Sequence, residues 1–300
     1  MTQTDLCRRA FVPLALISIL CAVEVRPQIQ ESIDLDPATD SPEVLRTVAD
    51  VETDPSDQNI LRALALVDSK LKNWGTVSKR STCDILAVFE QKRTPKAVSR
   101  LERLLATNCK LEGSDLIASY AASALGAIGG ERAYVALSRT VEGNCRGRVR
   151  SAALALGQLK DRRAIPKLEQ MTTNESPEVR KAGIVALAHF CDPGSRIAVN
   201  RAATDVAADV RAGAAWWLAT CGELQLDEGT LLGLLDDASP QVRINSLKGL
   251  IRIGSRRACE HLHSLEADEN ASVRELSNQL QPFCSEPPKP CGENKGVSRP

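Results

Sequence analysis

One short segment carries the residue types that bind transition metals. Cys259, His261 and His263 lie close together in the sequence, and thiolate and imidazole groups are common zinc ligands. On a helix, His261 and His263 point about 200° apart, so that only Cys259 and His263 share a face. Two ligands are too few for a closed zinc site. We therefore interpret the segment as a solvated helix surface and predict no metal ligand.

Other chemical motifs are absent from the sequence. It contains three histidines, and it has no nucleophilic-serine motif, phosphate-binding loop or dinucleotide fingerprint. Gly126 and Gly157 are isolated glycines near predicted helix ends. We predict no catalytic residue, no cofactor-binding residue and no cofactor. The 38 basic residues balance 38 acidic ones, which disfavours nucleic acid as a partner.

Acidic or amide residues recur at a fixed distance before arginine. Each lies five residues before a valine–arginine pair: Asn174, Asp205, Asp237 and Asp268 precede Arg180, Arg211, Arg243 and Arg274. A charge that is paired once per unit is the common way to keep such groups at a packed junction. We favour a ladder of hydrogen bonds and ion pairs, and the alternative is an arginine column that binds anions.

The elements that position these side chains repeat every 31 or 32 residues. Each unit is marked by a reference leucine: Leu125, Leu156, Leu187, Leu218 and Leu250. Mostly apolar or small residues lie eight and four residues before these leucines and three residues after them, which draws one stripe on a helix. The position four residues before the leucine is always small, so that a neighbouring helix can approach closely.

A second helix follows in each unit. Its buried row lies twelve residues after the reference leucine, at Leu137, Leu168, Val199 and Leu262. Two helices in 31 residues cannot bury both apolar faces alone, so the units must stack. The sequence therefore predicts an all-α fold, an α-solenoid (α–α superhelix) of about six stacked helical hairpins.

This pattern resembles the HEAT-like repeats of the phycobilisome-lyase group. The resemblance rests on the run from Ala152 to Pro166, with Asn174 and Val179-Arg180 after it, and extends over about 117–281 and more weakly over 81–108. It implies a right-handed superhelix. It also raises two enzymatic alternatives, a lyase and a deoxyhypusine hydroxylase with His-Glu pairs that hold two irons.

Both alternatives are disfavoured. The histidines are followed by phenylalanine, leucine and serine, at His189, His261 and His263, so no His-Glu pair exists. Bilin lyases act on cytoplasmic proteins, whereas the start of this chain predicts export.

Residues 1–22 are predicted to be a signal peptide. Arg8 and Arg9 precede an apolar run from Phe11 to Val23, which is too short to span a bilayer. We expect a periplasmic or secreted protein with no transmembrane anchor after the signal is removed. A lipoprotein at Cys21 is the less favoured alternative, because its flanking residues match a lipidation box poorly.

The rest of the chain divides by composition. Residues 23–57 predict an acidic disordered linker, since nine acidic residues and one basic residue lie between Glu31 and Asp57. Residues 58–281 are the repeat domain, with atypical capping units over 58–113 and regular repeats over 114–281. Residues 282–300 predict an irregular, proline-rich tail.

Eight cysteines follow the predicted signal: Cys83, Cys109, Cys145, Cys191, Cys221, Cys259, Cys284 and Cys291. An even number in an exported chain predicts disulfides, with buried free thiols as the alternative. The favoured pair joins the ends of first helices in adjacent repeats. The predicted pairs are Cys191–Cys221, then Cys109–Cys145, and Cys284–Cys291 in the tail.

A solenoid presents an extended concave surface that is lined by its second helices. Residues eleven and fourteen positions after the reference leucine are predicted to face outward there, among them Ala136, Arg139, Lys167, Gln170, Arg201, His261 and Ser264. We take Arg139, Lys167, Gln170 and Arg201 as candidate partner-binding residues. Nine basic residues against four acidic ones between Arg146 and Lys181 could dock the acidic linker or an acidic partner.

Two adjacent tryptophans break the repeat pattern. Trp217 stands where other units have alanine or glycine, and it is predicted to be buried. Trp216 should be partly exposed. It is a fifth candidate for partner binding, because tryptophan is enriched at interface hot spots.

Together these features predict an exported, non-catalytic scaffold. We expect it to bind an unknown protein or peptide through its concave surface. The alternatives are a lyase- or hydroxylase-like enzyme or maturation subunit, and a purely structural component of the cell envelope.

Overall fold

The computed structural model describes residues 42–54, 95–106 and 114–285, together with parts of 56–66 and 86–90. Within these ranges the regular secondary structure is entirely helical, as the sequence predicts. The α-helices are α1 (Pro42–Thr53), α2 (Val98–Leu105), α3 (Ser114–Ile128), α4 (Glu131–Thr140), α5 (Arg146–Leu159), α6 (Ile165–Met171), α7 (Pro177–Leu187), α8 (Arg196–Ala202), α9 (Ala208–Cys221), α10 (Leu224–Gly233), α11 (Pro240–Arg252), α12 (Ala258–Leu265) and α13 (Ala271–Ser285).

The helices follow the 31-residue period of the sequence. Each reference leucine lies on a first helix (α3, α5, α7, α9 or α11) and is fully buried. The row twelve residues later lies on second helices, where Leu137, Leu168 and Val199 are also fully buried. Both apolar stripes therefore face the interior.

The described residues divide into two units, those up to residue 214 and those from residue 215 onward. In the first unit, α5 packs between α3 and α7, and each second helix packs against first helices. Small residues make these contacts close. A Cβ added to Gly126 on α3 would lie 2.8 Å from the Ala155 carbonyl oxygen on α5, which is closer than real Cβ contacts.

The second unit repeats this arrangement. Helix α11 packs against α10, α12 and α13. Gly249 on α11 faces Ala219, with 3.1 Å from an added Cβ to the Ala219 Cα atom. Stacked helical hairpins within each unit are the architecture of an α-solenoid.

Two predicted boundaries need correction. Part of the segment assigned to a disordered linker (23–57) forms helix α1, because Thr47 and Val51, four residues apart, share one buried face. The prediction of disorder rested on the acidic composition of the segment and overlooked this short buried stripe. At the other end, α13 continues to Ser285, past the predicted start of the tail at residue 282, and a disulfide at Cys284 holds its last turn.

Candidate functional site

The second helices of the first unit form one surface. We call the exposed side chains of α4, α6 and α8 the second-helix face. Neighbouring elements are joined by side-chain contacts beneath this face: the Lys167 ammonium donates to the buried Ser138 hydroxyl at 2.6 Å, and the hydroxyl of Ser195, in the turn before α8, donates to Glu169 at 2.8 Å. The three helices therefore lie side by side.

Most charges on this face are already paired. Arg132 donates to Glu102 at 2.7 Å, and Arg163 donates to Glu131 at 2.7 Å. The hydrogen bond from Arg163 lowers the pKa of Glu131, and Arg163 also stacks on the ring of Tyr134 at 4.1 Å. These pairs connect neighbouring repeats at the surface, so the charges of Arg132 and Arg163 are already neutralised by carboxylates.

Lys167, a predicted partner-binding residue, belongs to this paired group. Besides its bond to Ser138, its ammonium lies 2.5 Å from the Glu142 carboxylate. The side chain is half-buried between α4 and α6. Its position in the contact between repeats indicates a stacking role.

The other predicted basic residues of this face are different. Arg139 and Arg201 are exposed, and among the described residues neither side chain has a hydrogen bond or an ion pair. Gln170, at the equivalent position of α6, is exposed between them in the repeat order. The three residues follow each other at intervals of 31.

An apolar row accompanies these residues, and the sequence reasoning missed it. Val135 and Ile197 are 43% and 76% exposed, and Pro166 is exposed at the same position of the repeat. They lie ten residues after the reference leucines, one position before the residues that the sequence predicts to face outward. Their 31-residue spacing was the available signal.

A shallow cavity of 380 Å³ lies between α2 and α4, at one end of the face. Leu105, Val135 and Ala136 provide apolar lining. The polar lining consists of Arg139, Thr140 and Glu131, together with the paired Glu102 and Arg132. Its size and lining suit a side chain of a larger ligand.

The repeated arginines form the predicted ladder. Arg180 donates to both oxygens of Asp205 at 2.7 Å, and Arg243 donates to Asp268 at 2.6 Å. In each case the partner acid lies in the following repeat. These guanidinium groups are engaged by carboxylates, which argues against an anion-binding column.

The metal-like segment is structural. Cys259 forms a disulfide with Cys284, with 5.5 Å between their Cα atoms, so its sulfur is not a thiolate ligand. His263 is exposed and lies 3.5 Å from Glu266. Among the described residues no group of three or more potential ligands converges.

The disulfide also corrects a predicted pairing. Cys284 bonds to Cys259 and not to Cys291, because α13 continues through Cys284 and packs against α12. Cys145, Cys191 and Cys221 are disulfide-bonded as well. The Cys191–Cys221 and Cys109–Cys145 pairings stay predictions, and Cys109 and Cys291 lie outside the described residues.

The two tryptophans separate as predicted. Trp217 is 1% exposed, whereas Trp216 is half-buried. Both lie on α9, a first helix. Trp216 is therefore not part of the second-helix face that carries Arg139 and Arg201.

Comparison with known proteins identifies the repeats. A family model described as HEAT repeats matches residues 144–219 and 197–279. The chain therefore contains HEAT repeats over this region, whereas the phycobilisome-lyase group stays a prediction. No curated protein sequence matches this chain.

A solved structure of human deoxyhypusine hydroxylase in complex with glycerol is similar to this chain. The two are 16% identical over 80% of this chain and 97% of the other, with a TM-score of 0.36. A likeness at this level assigns no activity. None of the helices in the described residues has both the length and the hydropathy of a membrane-spanning segment.

Proposed function

We propose that the protein is an exported, non-catalytic HEAT-repeat scaffold that binds another protein or peptide through its second-helix face. The observation that carries this proposal is the contrast between neighbouring side chains. Arg132, Arg163 and Lys167 are engaged by residues of adjacent repeats, whereas Arg139 and Arg201 have no partner among the described residues. Stacking the repeats does not require these two arginines.

The apolar row adds to this argument. Ile197 is 76% exposed, although full burial of such a side chain stabilises a protein or a complex by about 1.5–3 kcal/mol. Arginine is also enriched at protein interfaces and at their hot spots. A partner that covers Val135 and Ile197 and supplies carboxylates would satisfy both features.

Affinity capture from the native extracytoplasmic compartment tests the proposal. The bait is the full chain, compared with an Arg139→Glu/Arg201→Glu variant. Arg150→Glu is the matched control, because Arg150 is exposed on the first helix α5, outside the second-helix face. We expect one protein to be retained by the native chain and the control and lost from the double variant. Equal retention by all three baits would contradict the proposal.

Export is supported by the cysteines. The described residues include the Cys259–Cys284 disulfide and three further bonded cysteines, and disulfides persist mainly in oxidising compartments. We expect the mature protein to begin near residue 23. N-terminal sequencing of protein from the native host measures this directly, and a cytoplasmic protein that retains residues 1–22 would disprove export.

The absence of catalysis is proposed from the residue types. No histidine is followed by glutamate, and Cys259 is committed to a disulfide. We expect elemental analysis of the native protein to find no stoichiometric iron or zinc. About one iron atom per chain would instead favour a hydroxylase-like enzyme.

A further inference from the structure

We propose that the partner of the second-helix face is an extended acidic peptide that places an apolar side chain on each repeat, one for every three residues. This inference depends on the proposed function and specifies the chemistry of the partner. It is drawn from the spacing of the apolar row, from the unpaired arginines and from the cavity at the end of the face.

The apolar row presents one contact to each repeat. Val135, Pro166 and Ile197 occupy the same position on α4, α6 and α8, and all three are exposed. The helices are adjacent, since Lys167 contacts Ser138 and Ser195 contacts Glu169. A ligand that crosses the helices therefore meets an apolar side chain once per repeat.

The distance between repeats selects the conformation of the ligand. Packed helices lie about 8–10 Å apart. A polyproline II peptide turns once in three residues and rises about 9.3 Å in that turn, so every third side chain meets the next helix. A β-strand repeats its side-chain direction after about 6.6 Å and falls out of register with the helices.

The unpaired arginines select the charge of the ligand. Arg139 follows Val135 by four residues, and Arg201 follows Ile197 by four, so each arginine lies on the same helix face as an apolar contact. Glu131 on this face is already bonded to Arg163. Arg139 and Arg201 are therefore cations without a carboxylate partner among the described residues, and they suit carboxylates that a ligand places beside the apolar residues.

The cavity between α2 and α4 fixes one end of the ligand. Its lining of Leu105, Val135 and Ala136 receives an apolar side chain, and Arg139, which also lines the cavity, receives the neighbouring carboxylate. The peptide thus begins with an apolar–acidic pair at this cavity. It then continues across α6 to the second pair of contacts, Ile197 and Arg201.

A synthetic peptide tests the inference. The probe is a fluorescently labelled peptide of about twelve residues that repeats Leu-Glu-Pro, which favours polyproline II geometry. One control peptide has the same composition with its leucines adjacent, and a second is oligoglutamate of equal length. Fluorescence anisotropy with the full chain should show saturable binding of the probe that weakens as salt is raised.

Variants locate the probe on the protein. Arg139→Glu and Arg201→Glu should each weaken binding about tenfold, the size expected for one lost charge-assisted contact. Ile197→Ser should weaken it about fivefold while leaving the fold intact, since the side chain is exposed. Arg150→Glu should change the affinity less than about twofold.

The outcomes separate this inference from the proposed function. Equal binding of the rearranged peptide, or of oligoglutamate, would overturn the three-residue register. So would binding of the probe that ignores Arg139 and Arg201. In either case a native partner captured through these arginines would still support the proposed function, whereas failure of both experiments would reject both proposals.

Discussion

Arg180 holds Asp205 of the next repeat by two parallel hydrogen bonds of 2.7 Å. Its remaining nitrogen donates to the carbonyl oxygens of Asn174 and Glu175 at 2.9 Å, at the junction of its own repeat. Asp205 also accepts the amide hydrogen of Ala207 at 2.9 Å. Arg180 therefore stabilises the junction of its own repeat and connects that junction to the next repeat.

This contact makes stability depend on pH. The hydrogen bond from Arg180 lowers the pKa of Asp205, so folding is favoured by the ionised carboxylate. Stability from this source is complete above the unfolded pKa of about 3.9 and is lost as the pH falls through the lower folded pKa. We expect Asp205→Asn to reduce the free energy of unfolding at pH 7 by about 3 kcal/mol and to flatten its dependence on acid.

Chemical denaturation between neutral pH and about pH 3 measures both effects. Asp209→Asn is the control, because Asp209 is 80% exposed and lies 3.5 Å from Lys181. Such surface pairs contribute about 0–1 kcal/mol. If the two variants lose the same stability, the Arg180–Asp205 contact does not hold the repeats together.

The ladder and the core could be predicted from sequence because both are periodic. Arg180 and Asp205 are 25 residues apart, and Arg243 and Asp268 have the same separation. Both partners of each ion pair can therefore be recognised in a single sequence. The reference leucines likewise identify the buried stripe. The periodic residues therefore predict how neighbouring repeats stack.

Other features depend on distances that no pattern contains. The partner of Cys284 is set by where α13 ends and by its packing on α12, and spacing alone does not determine disulfide connectivity. Arg139 and Lys167 look alike in sequence, yet only Lys167 meets an acid of its neighbour. Which charged side chains stay available to a partner therefore depends on the contacts between the folded repeats.

The disulfide of the last hairpin is expected to stabilise the second unit. Cys259 and Cys284 are separated by 25 residues, and closing a loop of this size contributes about 3 kcal/mol to the free energy of unfolding. Cys284→Ser should lose about that amount. Non-reducing peptide mapping should recover a Cys259–Cys284 peptide, and a Cys284–Cys291 peptide in its place would show that α12 and α13 are not linked.

The same mapping tests the favoured pair between first helices. Cys191 and Cys221 are both disulfide-bonded, so neither should react with iodoacetamide in the native protein. We predict that they are bonded to each other. A peptide that joins either one to Cys145 would show that this prediction is wrong.

Close helix contact should make Gly126 intolerant of any side chain. Alanine normally stabilises a helix relative to glycine by about 1 kcal/mol. At Gly126 the new Cβ would lie 2.8 Å from the Ala155 carbonyl oxygen, and overpacking costs about 1–3 kcal/mol. We expect Gly126→Ala to destabilise the protein, and thermal unfolding measures the change.

Gly229→Ala is the matched control. Gly229 lies within α10, and apart from its chain neighbours and the backbone of its own helix no atom lies within 4 Å of its added Cβ, so only helix propensity should act. This variant should be neutral or slightly more stable than the native chain. Similar gains from both glycine substitutions would mean that α3 and α5 are further apart than the structure places them.

The adjacent tryptophans should differ sharply when each is truncated. Trp217 is 1% exposed on α9, and removing a large buried ring costs about 3–5 kcal/mol through lost burial and the remaining cavity. Trp216 is half-buried, so Trp216→Ala should cost less than about 1 kcal/mol. Chemical denaturation followed by circular dichroism compares the variants without relying on tryptophan emission.

Trp216→Ala also tests the remaining sequence-predicted contact, because a partner anchored there would be lost from affinity capture while stability is kept. An equal loss of stability from both variants would show that α9 is rotated relative to its described orientation.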